Sequence, residues 1–363
     1  MLWFLSAFMA SAALTLLVVH LLRGRGEAAK DHDLSGPQKF HQHVVARVGG
    51  IGIVGGLALV AAGLSIRRPD LATTLLLLLA CGLPAFGAGL LEDLTKRIPP
   101  GWRLAAAAIS ALLCVLTLDV AITRTDLWLL DWVASFEAGA VFLAVFTVAG
   151  IANSINIVDG FNGLASMCVA MMLAAIGYVA FQVGDELVLT LAVVGAGAVV
   201  GFFVWNYPAG LIFLGDGGAY FLGYFMAEVA LLLLARNPPV SPLFPLLAAI
   251  YPVFETVFSM YRRKVIKGMP VGVPDGVHLH SLVYRRLLRW AVGPQDARAL
   301  MRRNSMTAPY LWLLCMLAII PSVLFWDDST ILGIFILLFA ITYLVLYTQI
   351  VRFKSPRWLT HRR

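Results

Sequence analysis

The sequence predicts an all-α, polytopic membrane bundle of about eleven helices, and three observations lead there. Of its 363 residues, 60% are hydrophobic and 13% are charged, where a soluble domain carries about a quarter charged. Apolar runs of about 18–22 residues recur along the chain, the length that crosses a bilayer as a helix. The basic residues, finally, gather in alternate connections.

The spans read near 2–22, 48–66, 71–91, 103–122, 135–152, 163–183, 187–205, 219–235, 242–260, 309–326 and 330–350. The first lacks a basic start and a small-residue cleavage site, so it is taken as a membrane helix and not as a secretory signal. Of the 27 Lys and Arg, 23 fall in the connections on one side and four (Arg67, Arg68, Arg124, Arg236) on the other. The positive-inside rule then puts the N-terminus in the periplasm and the C-terminus in the cytoplasm. The outer connections are short and leave no room for a periplasmic domain. The stretch 124–134 carries Trp128 and Trp132, whose indoles suit the membrane interface. The whole of 1–363 reads as one membrane domain, with 261–308 as a long cytoplasmic loop. Cys81, Cys114, Cys168 and Cys315 all fall in apolar spans and have neither metal nor disulfide spacing. The basic excess lies in loops beside the bilayer, so membrane lipids are the expected partners and nucleic acid is not.

The polar chemistry is concentrated in four inner connections. The first is Glu92-Asp93-Leu-Thr-Lys96 at the inner end of a span. Carboxylates there suit Mg²⁺ and a lysine suits phosphate; the plainer reading is a solvated helix end with Lys96 facing Glu92 at i,i+4. The second is Asn153-Ser-Ile-Asn156-Ile-Val-Asp159-Gly160-Phe161-Asn162-Gly163. Asn153, Asn156 and Asp159 recur every third residue and would share a helix face. The third runs from Asn206 to Gly218 and sets Asp216 among Gly215, Gly217 and Gly218. Asp216 there would either hold a cation while backbone amides face an anion or simply cap the next helix. The fourth, Pro274-Asp275-Gly276-Val277-His278-Leu-His280, precedes Arg285, Arg286 and Arg289. Its His-x-His has no third zinc ligand at suitable spacing. Two histidines beside arginines fit a diphosphate or phosphosugar, and the arginines alone would equally fit anionic lipid headgroups. Arg47-Val-Gly49-Gly50 is a weaker feature, read as close packing or a ligand near the backbone, and His41 and His43 nearby are given no role. Glu137 and Glu228 are lone carboxylates within spans and so are functional suspects.

Taken together, these clusters resemble the polyprenyl-phosphate N-acetylhexosamine-1-phosphate transferases, the superfamily that includes phospho-N-acetylmuramoyl-pentapeptide transferase. The family's acidic pair matches Glu92-Asp93, with Glu in place of the first Asp, and its lysine matches Lys96. Its amide–acid motif matches 153–165, with Ser154 and Asn162 as departures. Its Asn-x-Pro-Ala…Gly-Asp-x-Gly motif matches 206–219, with Ala219 for Ser. Its histidine motif matches His278-Leu-His280, with Ser281 for the last His.

The resemblance implies a helical bundle whose cleft opens to the cytoplasm and the inner leaflet of a bacterial inner membrane. It implies transfer of a sugar-1-phosphate from a UDP-N-acetylhexosamine to undecaprenyl phosphate with release of UMP, at the start of O-antigen or a similar surface polysaccharide. Asp216 would hold Mg²⁺, for which Mn²⁺ could substitute. Asp93 with Glu92 would orient or deprotonate the lipid phosphate, and Lys96 with Arg286 would offset anionic charge. Asn153, Asn156 and Asp159 would contact uridine, Asn206 the substrate, and His278 and His280 the sugar or diphosphate. A homodimer is compatible with all of this. Two alternatives stay open: an inactive homologue, and a transporter. A transporter's site would be expected near the bilayer midplane, whereas these residues lie at one face.

Overall fold

A computed structural model of the chain describes residues 1–23, 45–266, 268, 277–288 and 297–352. His41, His43, Pro274, Asp275, Gly276 and Arg289 lie outside the described residues. The described chain is helical: α1 (Leu2–Arg23), α2 (Gly50–Arg67), α3 (Pro69–Cys81), α4 (Leu83–Thr95), α5 (Pro100–Leu118), α6 (Trp128–Ala134), α7 (Glu137–Val158) and α8 (Leu164–Gln182). There follow α9 (Glu186–Asn206), α10 (Gly215–Arg236), α11 (Leu243–Ala248), α12 (Ile250–Tyr261), α13 (Leu279–Leu282), α14 (Ala297–Leu324) and α15 (Ser329–Val351). Among the described residues, nine helices are long and apolar enough to cross a bilayer, and α3 and α4, bent by 44° at their junction, pass the same test when taken together as one broken span. The chain is a multi-pass membrane protein.

Local chemistry sets the ends. Pro69 and Pro100 open α3 and α5, where a missing N–H costs nothing. The Asp185 and Asp328 carboxylates accept the first amides of α9 and α15. At the end of the bundle where α2 meets α3, Arg68 pairs with Asp70 and Glu186, and Asp185 accepts from Arg236 and Asn237.

Three expectations change. The span at 71–91 is not straight, because Pro84 follows Gly82 and removes a helical amide at the bend. The span at 242–260 is two short helices meeting at Ala249, one turn after Pro245. The last part of the 261–308 loop is already helix, since α14 begins at Ala297 and reaches the apolar stretch without a break.

The bundle is built around α10. In its apolar window 89% of residues are buried, against 22% in α1 and 17% in α15, so α10 is the centre and those two helices turn most of their surface to lipid. Without a hydrophobic drive between helices in lipid, close approach depends on small residues. A Cβ on Gly89 would come within 2.5 Å of the Gly217 amide nitrogen, and one on Gly50 within 2.5 Å of Gly218 Cα. Glycines therefore let α2 and α4 press directly on the first turn of α10, and this contact positions the site.

Candidate active site at one end of the bundle

The first turn of α10 is the hub. The Asp93 side chain, buried at the end of α4, accepts the backbone N–H of Asp216 at 3.0 Å and that of Gly217 at 2.9 Å. Two amides that α10 leaves unpaired are thus satisfied from another helix. Asp216 does not cap α10, for Leu214 is the cap residue and makes no side-chain bond. The anion at this helix start is Asp93 itself, so the expected amide site for an outside anion is already filled.

Freed from capping, Asp216 faces a cluster of donors. Its Oδ1 accepts from Asn156 Nδ2 at 2.9 Å and lies 3.4 Å from an Arg47 guanidinium nitrogen; its Oδ2 is bonded by Arg103. Arg47 Nε also lies 3.7 Å from Asp93. The approach of Arg47 is fixed by its own backbone: the Phe213 N–H donates to the Ala46 carbonyl, and the Gly49 and Gly50 N–H groups donate to the Phe213 and Leu214 carbonyls. Tyr220, one turn along α10, donates its hydroxyl to Asn153 Oδ1 at 3.0 Å, and the Arg103 guanidinium lies 6.0 Å from its ring centre. Asn153 and Asn156 thus share the face of α7 that the three-residue spacing predicted, and that face meets α10. Asp159 lies one residue past the helix, half-buried.

Lys96 closes α4 in the left-handed region (φ 57°), so it leaves the helix where the i,i+4 pairing with Glu92 was expected. The Glu92 carboxylate instead accepts the Ile98 N–H at 2.7 Å and shapes the turn into α5. That turn delivers Arg103 to the cluster. Asn206 is likewise committed to the backbone: its Oδ1 accepts the Gly163 N–H at 2.6 Å and its Nδ2 donates to the Ile212 carbonyl at 2.8 Å. It ties the second and third motifs together and has little left for a substrate. Arg286 donates to the carbonyls of Ile350 and Val351 at the end of α15. This is favourable for a cation at a helix C-terminus.

The departure at Asn162 has a physical basis. Its Nδ2 donates to the Pro208 carbonyl at 3.1 Å, a bond that an ionised aspartate could not make.

The histidines pack against the turn that follows α7. The His278 and His280 rings stack with centres 5.1 Å apart, and Phe161 meets His280 edge-on at 5.6 Å. A Cβ on Gly160 would lie 3.3 Å from His280 Nε2, so the ring packs against the turn that follows Asp159. Burial, with His278 beside it, pushes His280 down from 6.5 to about 3. The folded protein therefore keeps this ring neutral while the unfolded chain takes up a proton below 6.5, and the folded state loses stability as pH falls from 6.5 towards 3. His280→Gln should flatten the thermal midpoint against pH over that window, which a melting series in detergent would measure.

Sequence reasoning missed Arg103 and Glu255. Arg103 is the lone charge on an otherwise apolar α5 just after a Pro-Pro helix start, and Glu255 is the lone carboxylate of 242–260. The rule that flagged Glu137 and Glu228 would have found Glu255 too. Of those two suspects, Glu137 is exposed at the start of α7, whereas Glu228 is buried in α10 with both carboxyl oxygens unpartnered.

Residues 75–234 match the model of glycosyl transferase family 4, a stretch that holds Asp93, Arg103, Asn156 and Asp216. The chain is 35% identical over 148 residues (40% of its length, 41% of the relative's) to a probable undecaprenyl-phosphate N-acetylglucosaminyl 1-phosphate transferase of Bacillus subtilis. It is 28% identical over 213 residues (57% and 61%) to an undecaprenyl-phosphate alpha-N-acetylglucosaminyl 1-phosphate transferase of Thermotoga maritima. It is 38% identical over 93 residues (26% and 27%) to a phospho-N-acetylmuramoyl-pentapeptide-transferase of Streptococcus thermophilus. These matches span between 27% and 61% of the relatives' length. The same motifs meet at one end of a membrane bundle, and over these stretches the chain is similar to glycosyl transferase family 4 and to undecaprenyl-phosphate N-acetylglucosaminyl 1-phosphate transferases.

Proposed function

We propose that the protein transfers a sugar-1-phosphate from a UDP-N-acetylhexosamine to undecaprenyl phosphate, releasing UMP. The observation that carries this reading is the Asp216 carboxylate bracketed by Arg47, Arg103 and Asn156 at the end of the bundle. A reaction between two phosphorylated substrates, one of them lipid-held, needs cations and a metal-binding oxygen beside the membrane surface. In the reaction a lipid-phosphate oxygen bonds to the β-phosphorus, the bond from that phosphorus to the bridging oxygen breaks, and the oxygen leaves on UMP.

Asp216 is the carboxylate this reading gives to magnesium. Among the described residues no group of three or more His, Cys, Asp and Glu is placed to hold a metal. Mg²⁺ is commonly held by one or two carboxylates with substrate phosphates and water completing the shell, and Asp216 would be that carboxylate; Mn²⁺ would take the same oxygens. Asp216 would hold the ion, whose chemistry is neutralisation of the charge that builds on departing UMP.

The chain's own cations do the rest. Arg47 and Arg103 lie beside Asp216, where they would draw the diphosphate oxygens, and preorganised cations lower the barrier most where charge develops. Asp93 is held by two amides and Arg47, which makes it a positioning group in this reading. A base is not required: a phosphate monoester has its second pKa at about 6 and is mostly dianionic at pH 7. We favour direct attack of the lipid phosphate on the β-phosphorus over a path through an aspartyl intermediate. Asn153 and Asn156 line the α7 face where uridine would lie, and His278 and His280 close the far side towards the sugar and diphosphate. We place the enzyme in a bacterial inner membrane with this end in the cytoplasm, where its product would begin an O-antigen or similar surface polysaccharide.

UDP-N-acetylglucosamine labelled with ³²P at the β position tests the bond cleaved. The proposal predicts label in the organic-extractable lipid. Label that stays entirely with UDP, while the sugar reaches lipid, would rule out sugar-1-phosphate transfer.

A further inference from the structure

Glu255 lies midway along α12, its side chain 1% exposed, and both of its oxygens are occupied. Oε1 accepts from His278 Nδ1 at 2.9 Å and from the Leu279 N–H at 3.2 Å; Oε2 accepts the Tyr343 hydroxyl at 2.7 Å. Tyr343 is itself fixed, edge-on to Phe254 at 4.9 Å and to Phe258 at 5.7 Å. A carboxylate in this setting only accepts, so the His278 proton facing it resides on Nδ1. Arg262 steadies the same segment by donating to the Val277 carbonyl and the Tyr347 hydroxyl.

The histidine stack depends on this anchor. His280 Nδ1 is buried without a hydrogen-bond partner, so the ring is located by packing between His278 and Phe161. Among the described residues, Glu255 is the side chain that bonds either imidazole. Nothing in its immediate sequence joins it to the histidines, the first of which follows 23 positions later.

We propose that Glu255, set by Tyr343, is a positioning residue for the transfer reaction: it fixes the tautomer and plane of His278 and, through the stack, holds His280 against the Asp159–Gly160 turn. The inference rests on the transferase reading above. Glu255 is buried behind the histidines and acts through them. An acceptor that orients an imidazole in this way is a familiar arrangement behind metal-bound histidines, where its loss costs about ten- to a hundredfold.

The test is a double-mutant cycle on UMP release in detergent, with thermal midpoints read alongside. Glu255→Gln keeps the shape but offers an amide N–H where His278 donates. It should lower kcat by about ten- to a hundredfold and leave KM for the UDP-sugar within about threefold. In a His278→Gln background the same substitution should change kcat by less than about twofold, since coupled residues are not additive. Tyr343→Phe, which removes one donor to Glu255, should lower kcat in the same direction by a smaller factor, and that loss should also vanish with His278→Gln. It decides the matter if Glu255→Gln does not fold. A Glu255→Gln loss that persists in full in the His278→Gln background would reduce Glu255 to a structural role and overturn the inference. So would wild-type kcat in Glu255→Gln. A wild-type protein that releases no UMP at all would instead overturn the transferase reading on which this one rests.

Discussion

Asp216→Asn should abolish turnover while leaving the bundle folded. The amide keeps the size of the carboxylate and can still accept from Asn156, but it loses the charge that Arg47 and Arg103 contact. Loss of one preorganised electrostatic group in an active site typically costs about 10²–10³ in kcat, and Asp216 is also the residue proposed to hold the metal. We therefore expect a fall of at least about 10³-fold in UMP release per folded molecule. Stability should drop as well, because two guanidiniums lose their anion. Full loss of a buried pair's partner costs about 3–5 kcal/mol, and Arg47, whose side chain is 29% exposed, is partly solvated, so the cost should fall below that range. Size-exclusion profiles after heating would separate the two effects. Wild-type turnover in a folded Asp216→Asn protein would remove Asp216 from the chemistry.

Gly215→Ala should prevent the site from assembling. Gly215 has φ 77°, in the left-handed region, where an L side chain costs about 1–2 kcal/mol. The steric term is larger. An added Cβ would lie 2.6 Å from Asp93 Oδ2 and would collide with the Arg47 carbonyl oxygen. Neither neighbour can move freely: Asp93 is bound to the two amides that follow Gly215, and the backbone flanking Arg47 is paired through Ala46, Gly49 and Gly50 to Phe213 and Leu214. We expect activity to be lost with a marked fall in thermal midpoint or folded yield. Gly87→Ala in α4 is the control. A Cβ there meets nothing within 4 Å, and alanine in a helix is worth about 0.5–1 kcal/mol over glycine, so that variant should be as stable as wild type or slightly more so. Equal behaviour of the two variants would contradict the packing account.

Much of this was legible in the sequence because it is local. Long apolar runs make spans whatever their partners, and the separation of basic from neutral connections follows from the same lengths. The spacing of Asn153 and Asn156 put both on one face of α7, and that face does meet α10. What sequence could not give was which groups would be used up. Asp93 and Asp216 are 123 positions apart, and only the approach of α4 to α10 through Gly89 and Gly217 makes one the cap of the other. Asn206 and Arg286 have the chemistry of substrate ligands, yet each meets backbone carbonyls or amides first. Arg103 was overlooked for the reverse reason. A single arginine near a helix start reads as a membrane-interface residue until the turn shaped by Glu92 and Ile98 carries it to Asp216.

The most direct test of the account is UMP release by the purified full-length protein in detergent, with a panel of UDP-amino sugars, with and without undecaprenyl phosphate, and in Mg²⁺ or chelator. The account predicts UMP only when donor, lipid phosphate and divalent cation are present together, and the best donor identifies the sugar. Release of UDP instead of UMP, or no release from folded protein beside a working transferase control, would contradict it.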